Sequence, residues 1–242
     1  MNRTKEQEFL IQNMISQIVS YIAEDKNILV EDALKSFFDT NISKKIEDVE
    51  TGYYLESPSY VYEILKKEEG FMSVNEIIKK RKSIRKYEKG AVVTEEQIKT
   101  ILEAGMLAPS ACNSRPFQFI VVRNREKLEE IMKIHPYTQM LETASLAIIV
   151  CADLNLQNEI SEGYFPEDCG AVTENMLLQA TELELGTCWC GVYPKEDKVA
   201  NFRKLFNLPE NIVPFNVIAV GKPAEEFGSR GFYEEEKVTW ID

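Results

Sequence analysis

The hydrophobic positions of this chain first recur on a helical spacing and then, near residue 70, switch to alternating helical and strand-like runs. Between residues 5 and 24, Phe9, Leu10, Ile11, Met14, Ile15, Ile18, Val19 and Ile22 fall three and four apart, which predicts an amphipathic helix with a wide apolar stripe. Ala33, Leu34, Phe37 and Phe38 predict a second helix over 30–38. The stretch from Thr51 to Pro58 is a turn-rich connection, after which Ser59 is placed to cap a last helix carrying Val61, Ile64 and Leu65. Residues 1–70 therefore read as a small all-helical domain, ending at Glu68-Glu69-Gly70.

Residues 71–242 read as an α+β domain. Val74, Ile77 and Ile78 mark a short amphipathic helix. Thr94 and Gln97 form a capping box that opens a helix through Ile98, Ile101, Leu102 and Leu107, stopped by Pro109. Phe117–Val122 and Ser145–Ala152 are apolar strands with a helix over 127–134 between them. A long helix over 168–185 follows, with Gly186 at its end, then strands over 187–193 and 215–220 separated by a helix over 195–206. The predicted order is helix, helix, strand, helix, strand, helix, strand, helix, strand, with helices against a central sheet. In the helix over 168–185, Ala171, Val172, Met176, Leu177, Leu178, Ala180, Leu183 and Leu185 cover most of the circumference, which predicts a homodimer core.

Charge narrows the function classes. The net charge is −12, and residues 1–70 carry 8 Lys and Arg against 14 Asp and Glu, where the rest carries 20 against 26. The helical segment is thus the denser in negative charge, a poor match to nucleic acid or an anionic membrane. No apolar run approaches a membrane span and the start of the chain lacks a leader pattern, so the expectation is a cytoplasmic protein. Five cysteines without a CxxC, and His135 as the single histidine, predict reduced and mostly buried thiols and no metal. Neither GxxxxGK[ST] nor GxGxxG nor GxSxG occurs, which removes the main support for a P-loop, a dinucleotide-binding Rossmann domain or a serine hydrolase. His135 is expected to be structural or at the surface.

Within this acidic chain, Arg81-Lys82-Ser83-Ile84-Arg85 places three cations and a hydroxyl in five residues. It is either a solvated basic face or a site for a phosphate monoester, for which Arg offers a planar donor fork and Lys a point charge. Three further small-residue segments, the last of them adding one more cation, describe together with it a ligand with an anionic tail and a polar ring system. They are Ala108-Pro109-Ser110-Ala111-Cys112-Asn113-Ser114-Arg115-Pro116, Gly186-Thr187-Cys188-Trp189-Cys190-Gly191, and Gly228-Ser229-Arg230-Gly231.

These blocks, in this order and together with Val220-Gly221-Lys222-Pro223, resemble the FMN-dependent nitroreductases over residues 72–242. The resemblance implies a nitroreductase-like sheet flanked by helices and a homodimer with two sites at its interface. It implies that Arg81, Lys82, Ser83 and Arg85 hold the phosphate and ribityl end of FMN, with Arg230 reaching the phosphate from the C-terminal segment. Pro109, Ser110, Ala111 and Asn113 would come from the partner subunit to cover the flavin, and Trp189, Cys190 and Gly191 would lie along the isoalloxazine. NADH or NADPH would reduce FMN, which would then reduce a nitroaromatic, a quinone or a similar acceptor, in a ping-pong cycle that asks no side chain to be nucleophile or general acid. Two departures stand out: Arg115-Pro116-Phe117 replaces a common Gln-Pro-Trp, and Gly228 stands where relatives carry a Lys. Residues 1–70 lie outside the resemblance. They are a bundle that packs on a second copy or on the main domain, with Tyr53, Tyr54, Tyr60 and Tyr62 at the contact, or a docking module for a flavin-bearing redox sensor.

Overall fold

The computed structural model describes residues 3–26, 28–68, 74–228 and 231–241. The chain divides into two compact units, Met1–Ser73 and Val74–Asp242.

The first unit is helical throughout. Helix α1 (Lys5–Lys26) buries Ile11, Met14, Ile18, Val19 and Ile22 against α2 (Val30–Phe38), α3 (Asn41–Glu47) and α4 (Pro58–Glu68). The α3 helix has no counterpart in the periodicity reading, because it is only about two turns long and its inward residues are Ile42, Ser43 and Ile46. Thr40 starts it by accepting the Ser43 N–H. Phe37, Ile42, Ile46 and Leu65 fill the centre. Two expectations are corrected. Ser57, not Ser59, accepts the Tyr60 N–H at the start of α4, because the helix begins at Pro58, two residues earlier than a Ser59 cap would start it. Tyr62 is buried and bonds through its hydroxyl to Asp25 (2.9 Å), so among the four tyrosines only Tyr60 is well exposed.

The second unit is a four-stranded antiparallel sheet with helices on both faces. The strands are β1 (Phe117–Val122), β2 (Leu146–Asp153), β3 (Gly186–Gly191) and β4 (Ile212–Gly221), in the spatial order β1-β2-β4-β3. The two central strands β2 and β4 are buried almost along their full length, which is why they read as continuous apolar runs rather than alternating ones. A bulge between Val150 and Cys151 falls where β2 meets Pro214, which has no N–H to give to a ladder.

Helix α8 (Phe165–Glu182) packs across all four strands, and α6 (Glu95–Met106) and α5 (Val74–Lys80) pack on α8. The helix α9 (Glu196–Phe206) and the turn Pro136–Glu142 pack on β4, with α7 (Arg125–Ile134) against both. The α6 capping box forms as the sequence predicts, through reciprocal Thr94 and Gln97 bonds. The end of α8 differs from expectation. Glu184, at φ 58°, takes the left-handed position, and Gly186 instead opens β3. Much of the apolar circumference of α8 is covered inside one chain, by the sheet on one side and α6 on the other, so that circumference by itself does not call for a second subunit.

Candidate functional site

The site is built on β3, an edge strand paired only with β4. Its open side receives the segment Arg81–Arg85. Ser83 bridges Thr187 in parallel, and the Ile84 N–H bonds to the Thr187 carbonyl at 2.8 Å. This approach requires Gly186, since a Cβ there would lie 2.7 Å from Ile84 Cγ2. On its other side the segment is zipped to the chain leaving β4. Tyr87 bridges Pro223, Glu88 N–H meets the Lys222 carbonyl at 2.9 Å, and Ala224 N–H meets the Lys86 carbonyl at 2.8 Å. The Gly221-Lys222-Pro223 block therefore acts as a clamp on the cationic segment, and Glu225, next along, accepts the Arg85 and Lys86 N–H groups. Those bonds, the Arg85 N–H first, hold the Glu225 carboxyl below its ordinary range.

Arg81, Lys82, Ser83 and Arg85 line a cavity of about 570 Å³ together with Gly231 and Phe232. Arg81 Nε pairs with Glu174 at 3.2 Å, whereas no carboxylate oxygen among the described residues lies within 4 Å of the Lys82 or Arg85 cationic nitrogens. Arg230 lies outside the described residues. Arg85 also lines a second cavity, of about 650 Å³, whose wall includes Cys188, Trp189, Cys190, Gly191, His135, Tyr137 and Lys198. The two cavities thus share one residue, and the second runs beside the open edge of β3.

Strand parity fixes what that edge offers. Thr187 turns its carbonyl outward to Ile84, so Trp189 and Gly191 turn their backbone groups the same way, while residues 186, 188 and 190 face β4. The Gly191 carbonyl is held by His135 Nε2 at 2.8 Å. Side chains alternate as well. The Trp189 ring reaches toward Gly170 on α8 and packs near Phe215, whereas the Cys190 thiol donates to the Tyr137 carbonyl on the opposite face.

Four of the five cysteines are buried and all five are free, with Cys112 exposed. The neighbouring Cys190 side chain, and then Arg85 and Ser83, draw the Cys188 pKa down, while Cys188 and burial push Cys190 up. His135 is buried, in keeping with a structural role, and burial lowers its pKa, with the Lys198 ammonium adding to the effect. Among the described residues no cluster of three or more His, Cys, Asp or Glu could hold a metal, and no helix is long and apolar enough to cross a membrane.

Pro109, Ser110, Ala111 and Asn113 stand apart from their own chain's cavities, lining neither. Their loop is unusual in its backbone, with Cys112, Asn113 and Arg115 all at φ near 50°. Ser110 braces it through the Arg115 N–H, and Asp168, buried at the start of α8, takes the Ala111 N–H at 2.8 Å. The second Asp168 oxygen has no hydrogen-bond partner among the described residues, and burial raises the pKa of the group.

The nitroreductase family model matches residues 78–135 and 134–222. The chain belongs to the nitroreductase family. A relative from Methanothermobacter thermautotrophicus, provisionally named an NADH dehydrogenase/NAD(P)H nitroreductase, is 48% identical over 167 residues, covering 69% of this chain and 86% of the relative. An FMN-dependent nitroreductase of known structure from Clostridium difficile is 30% identical, with a TM-score of 0.62 over 69% of this chain and 98% of that one. A Desulfovibrio desulfuricans nitroreductase solved in complex with FMN is 28% identical, with a TM-score of 0.61 over 71% of this chain and 98% of that one. The matched nitroreductase domain begins after the helical unit, which stands outside it.

The contacts that hold the sequence-predicted segments together come from residues outside them. Glu225, Asp168 and Lys198 carry no local motif, and their partners lie 140, 57 and 63 residues away along the chain.

Proposed function

We propose that this nitroreductase binds FMN along the open edge of β3 and carries electrons from NADH or NADPH to a small acceptor such as a nitroaromatic or a quinone. The observation that carries the reading is the continuity, through Arg85, between a cation-lined cavity and a strand edge with outward backbone groups. The donor set fits the cofactor. Lys82, Ser83 and Arg85 present charge and a hydroxyl to a phosphate, with Arg81 shared with Glu174 and Arg230 assigned to the same phosphate by its place in the sequence. The Trp189 and Gly191 backbone groups supply fixed dipoles at a polar ring edge, beside Cys190. Bound FMN supplies the hydride-accepting and hydride-donating chemistry. The protein's part is to orient the ring, to shield it and to leave one face open to donor and acceptor in turn.

The same reading includes a homodimer. Pro109, Ser110, Ala111 and Asn113 reach neither cavity of their own chain, as expected of residues that serve the partner's site. An apolar groove lined by Val74, Ile77, Ala104, Leu107 and Leu178, with Val74 and Leu107 largely exposed, offers a face for that contact. The helical unit Met1–Ser73 is read as an accessory domain that packs on or docks to another protein surface rather than as part of the flavin site.

The deciding experiment is a visible spectrum of the purified protein before and after anaerobic addition of NADH or NADPH. Flavin bands that bleach with either donor agree with the proposal. A protein that takes up no flavin after incubation with FMN rejects it.

A further inference from the structure

Helix α8 buries a carboxylate that it does not need for itself. Asp168 lies in its first turn and is 5% exposed. A carboxylate there suits the helix dipole, but the exposed Glu167 beside it serves that purpose without leaving water. Nor does Asp168 cap the helix. Among the described residues its side chain accepts one hydrogen bond, from the Ala111 N–H at 2.8 Å, 57 residues earlier in the chain, and its second oxygen accepts none.

Ala111 opens the segment that demands most of its backbone. Cys112, Asn113 and Arg115 hold φ values of 53°, 52° and 49°, left-handed conformations that non-glycine residues keep only when their surroundings impose them. The bonds that shape the segment are internal. Asn113 N–H reaches the Ser110 carbonyl at 2.9 Å, Ser114 N–H the Ala111 carbonyl at 3.0 Å, and Arg115 N–H the Ser110 Oγ at 2.9 Å. The Arg115 guanidinium adds a bond of 3.2 Å to the Met106 carbonyl, at the end of α6 from which the loop leaves. Such bonds fix the shape of a loop and leave its direction open. Among the described residues, Asp168 is the one group outside residues 110–115 that bonds to their backbone. It does so from a stretch of α8 that also backs the β3 edge, since a Cβ at Gly170 would lie 4.0 Å from Trp189 Cη2.

We infer that Asp168 is a positioning residue for flavin binding: its carboxylate holds the Ala111 peptide and so aims Pro109, Ser110, Ala111 and Asn113 at the FMN of the partner subunit. The inference rests on the flavin and homodimer reading above, and adds to it a residue that itself touches no flavin.

The test is FMN binding to the full chain, followed by flavin fluorescence. Asp168→Ala leaves the Ala111 N–H without its acceptor and is expected to raise the dissociation constant about tenfold. Asp168→Asn, which keeps an oxygen for that N–H, is expected to bind within about twofold of the unaltered chain. Should circular dichroism show that Asp168→Ala does not fold, Asp168→Leu, which fills the space with no acceptor, takes its place. Mixed dimers, made by co-expressing two differently tagged chains, then ask which subunit the loop serves. Arg85→Ala damages a chain's own phosphate cradle, whereas Asp168→Ala damages the loop it lends. Joined in one dimer, the two variants leave one site with an intact cradle and an intact loop. Half of the sites should therefore bind FMN with the unaltered affinity, although each homodimer binds weakly. The inference is overturned, with the oxidoreductase reading left in place, by two weak sites in the mixed dimer or by Asp168→Ala binding as tightly as the unaltered chain. Asp168→Asn binding as weakly as Asp168→Ala overturns it too. An unaltered chain that takes up no flavin rejects both.

Discussion

The two units of this chain are held together in opposite ways. In Met1–Ser73, buried side chains such as Ile18, Phe37 and Ile46 sit on helices whose periodicity is local. In Val74–Asp242, the decisive contacts join segments far apart in the chain, as when Glu225 accepts the Arg85 N–H across 140 residues. Local helices are sufficient to make a core. A site that must present charge at one end and backbone dipoles at the other needs the chain to return on itself, and here it returns at the open side of β3. The Clostridium difficile structure points the same way, since 98% of it is matched by 69% of this chain.

The largest expected effect tests whether the units are independent. Phe37→Ala removes a fully buried ring from a unit of roughly 70 residues, at a cost of about 3–5 kcal/mol, comparable to the whole stability of so small a domain. Calorimetry should show the helical transition lost, with flavin content and NADH oxidation retained. Loss of flavin along with it would mean that the comparison is false. Gly186→Ala comes next. Its new Cβ collides with Ile84, costing about 1–3 kcal/mol, and because Ile84 lies between Ser83 and Arg85, the affinity for FMN should fall by more than the stability change alone would give. A flavin titration at constant temperature measures it.

Two pH experiments sharpen the contrast. Burial raises the Asp168 pKa, so the folded state holds that proton more tightly than the unfolded one, and the associated stability declines as pH rises from the ordinary carboxylate range through the folded value. Asp168→Asn keeps an oxygen for the Ala111 N–H, and should raise the midpoint of the larger unit at pH 7 by roughly 1–3 °C and flatten its slope on the acid side. His135 has the opposite sign. Its pKa is lowered in the fold, so its contribution is complete above the unfolded value near 6.5 and is lost as pH falls through the folded one. As the chain's single histidine, it confines that dependence to Val74–Asp242. His135→Gln, which can still donate to the Gly191 carbonyl, should remove it from one thermal transition and leave the other unchanged. The smallest effect is that of Thr94→Ala, about 1 kcal/mol from the lost cap of α6, with no change at the site.

What the sequence made legible follows the same division. Short apolar runs place every strand within a few residues, and the order of elements after residue 73 is the one expected, because β2 and β4 are apolar along their length and α6 announces its own start. The Arg81–Arg85 and Thr187–Gly191 segments were visible as candidates because each concentrates its chemistry within a few residues. The clamp of Lys222–Glu225, the Asp168 anchor and the His135–Lys198 pair were not, since each is an ordinary residue until the fold brings its partner within 4 Å. Gly186 shows the limit from the other side. It was read as a helix end, and its actual purpose, room for Ile84, depends on a segment more than a hundred residues earlier.

The geometry of the β3 edge also bears on solubility. An unpaired strand edge is a template for aggregation, and proteins blunt such edges by keeping them short or by covering them. Here Ile84 closes the edge at Thr187 and His135 closes it at Gly191, leaving only Trp189 outward-facing between two occupied carbonyls. A gap of that length is too short to recruit a foreign strand, so this edge gives a second copy little to polymerise on.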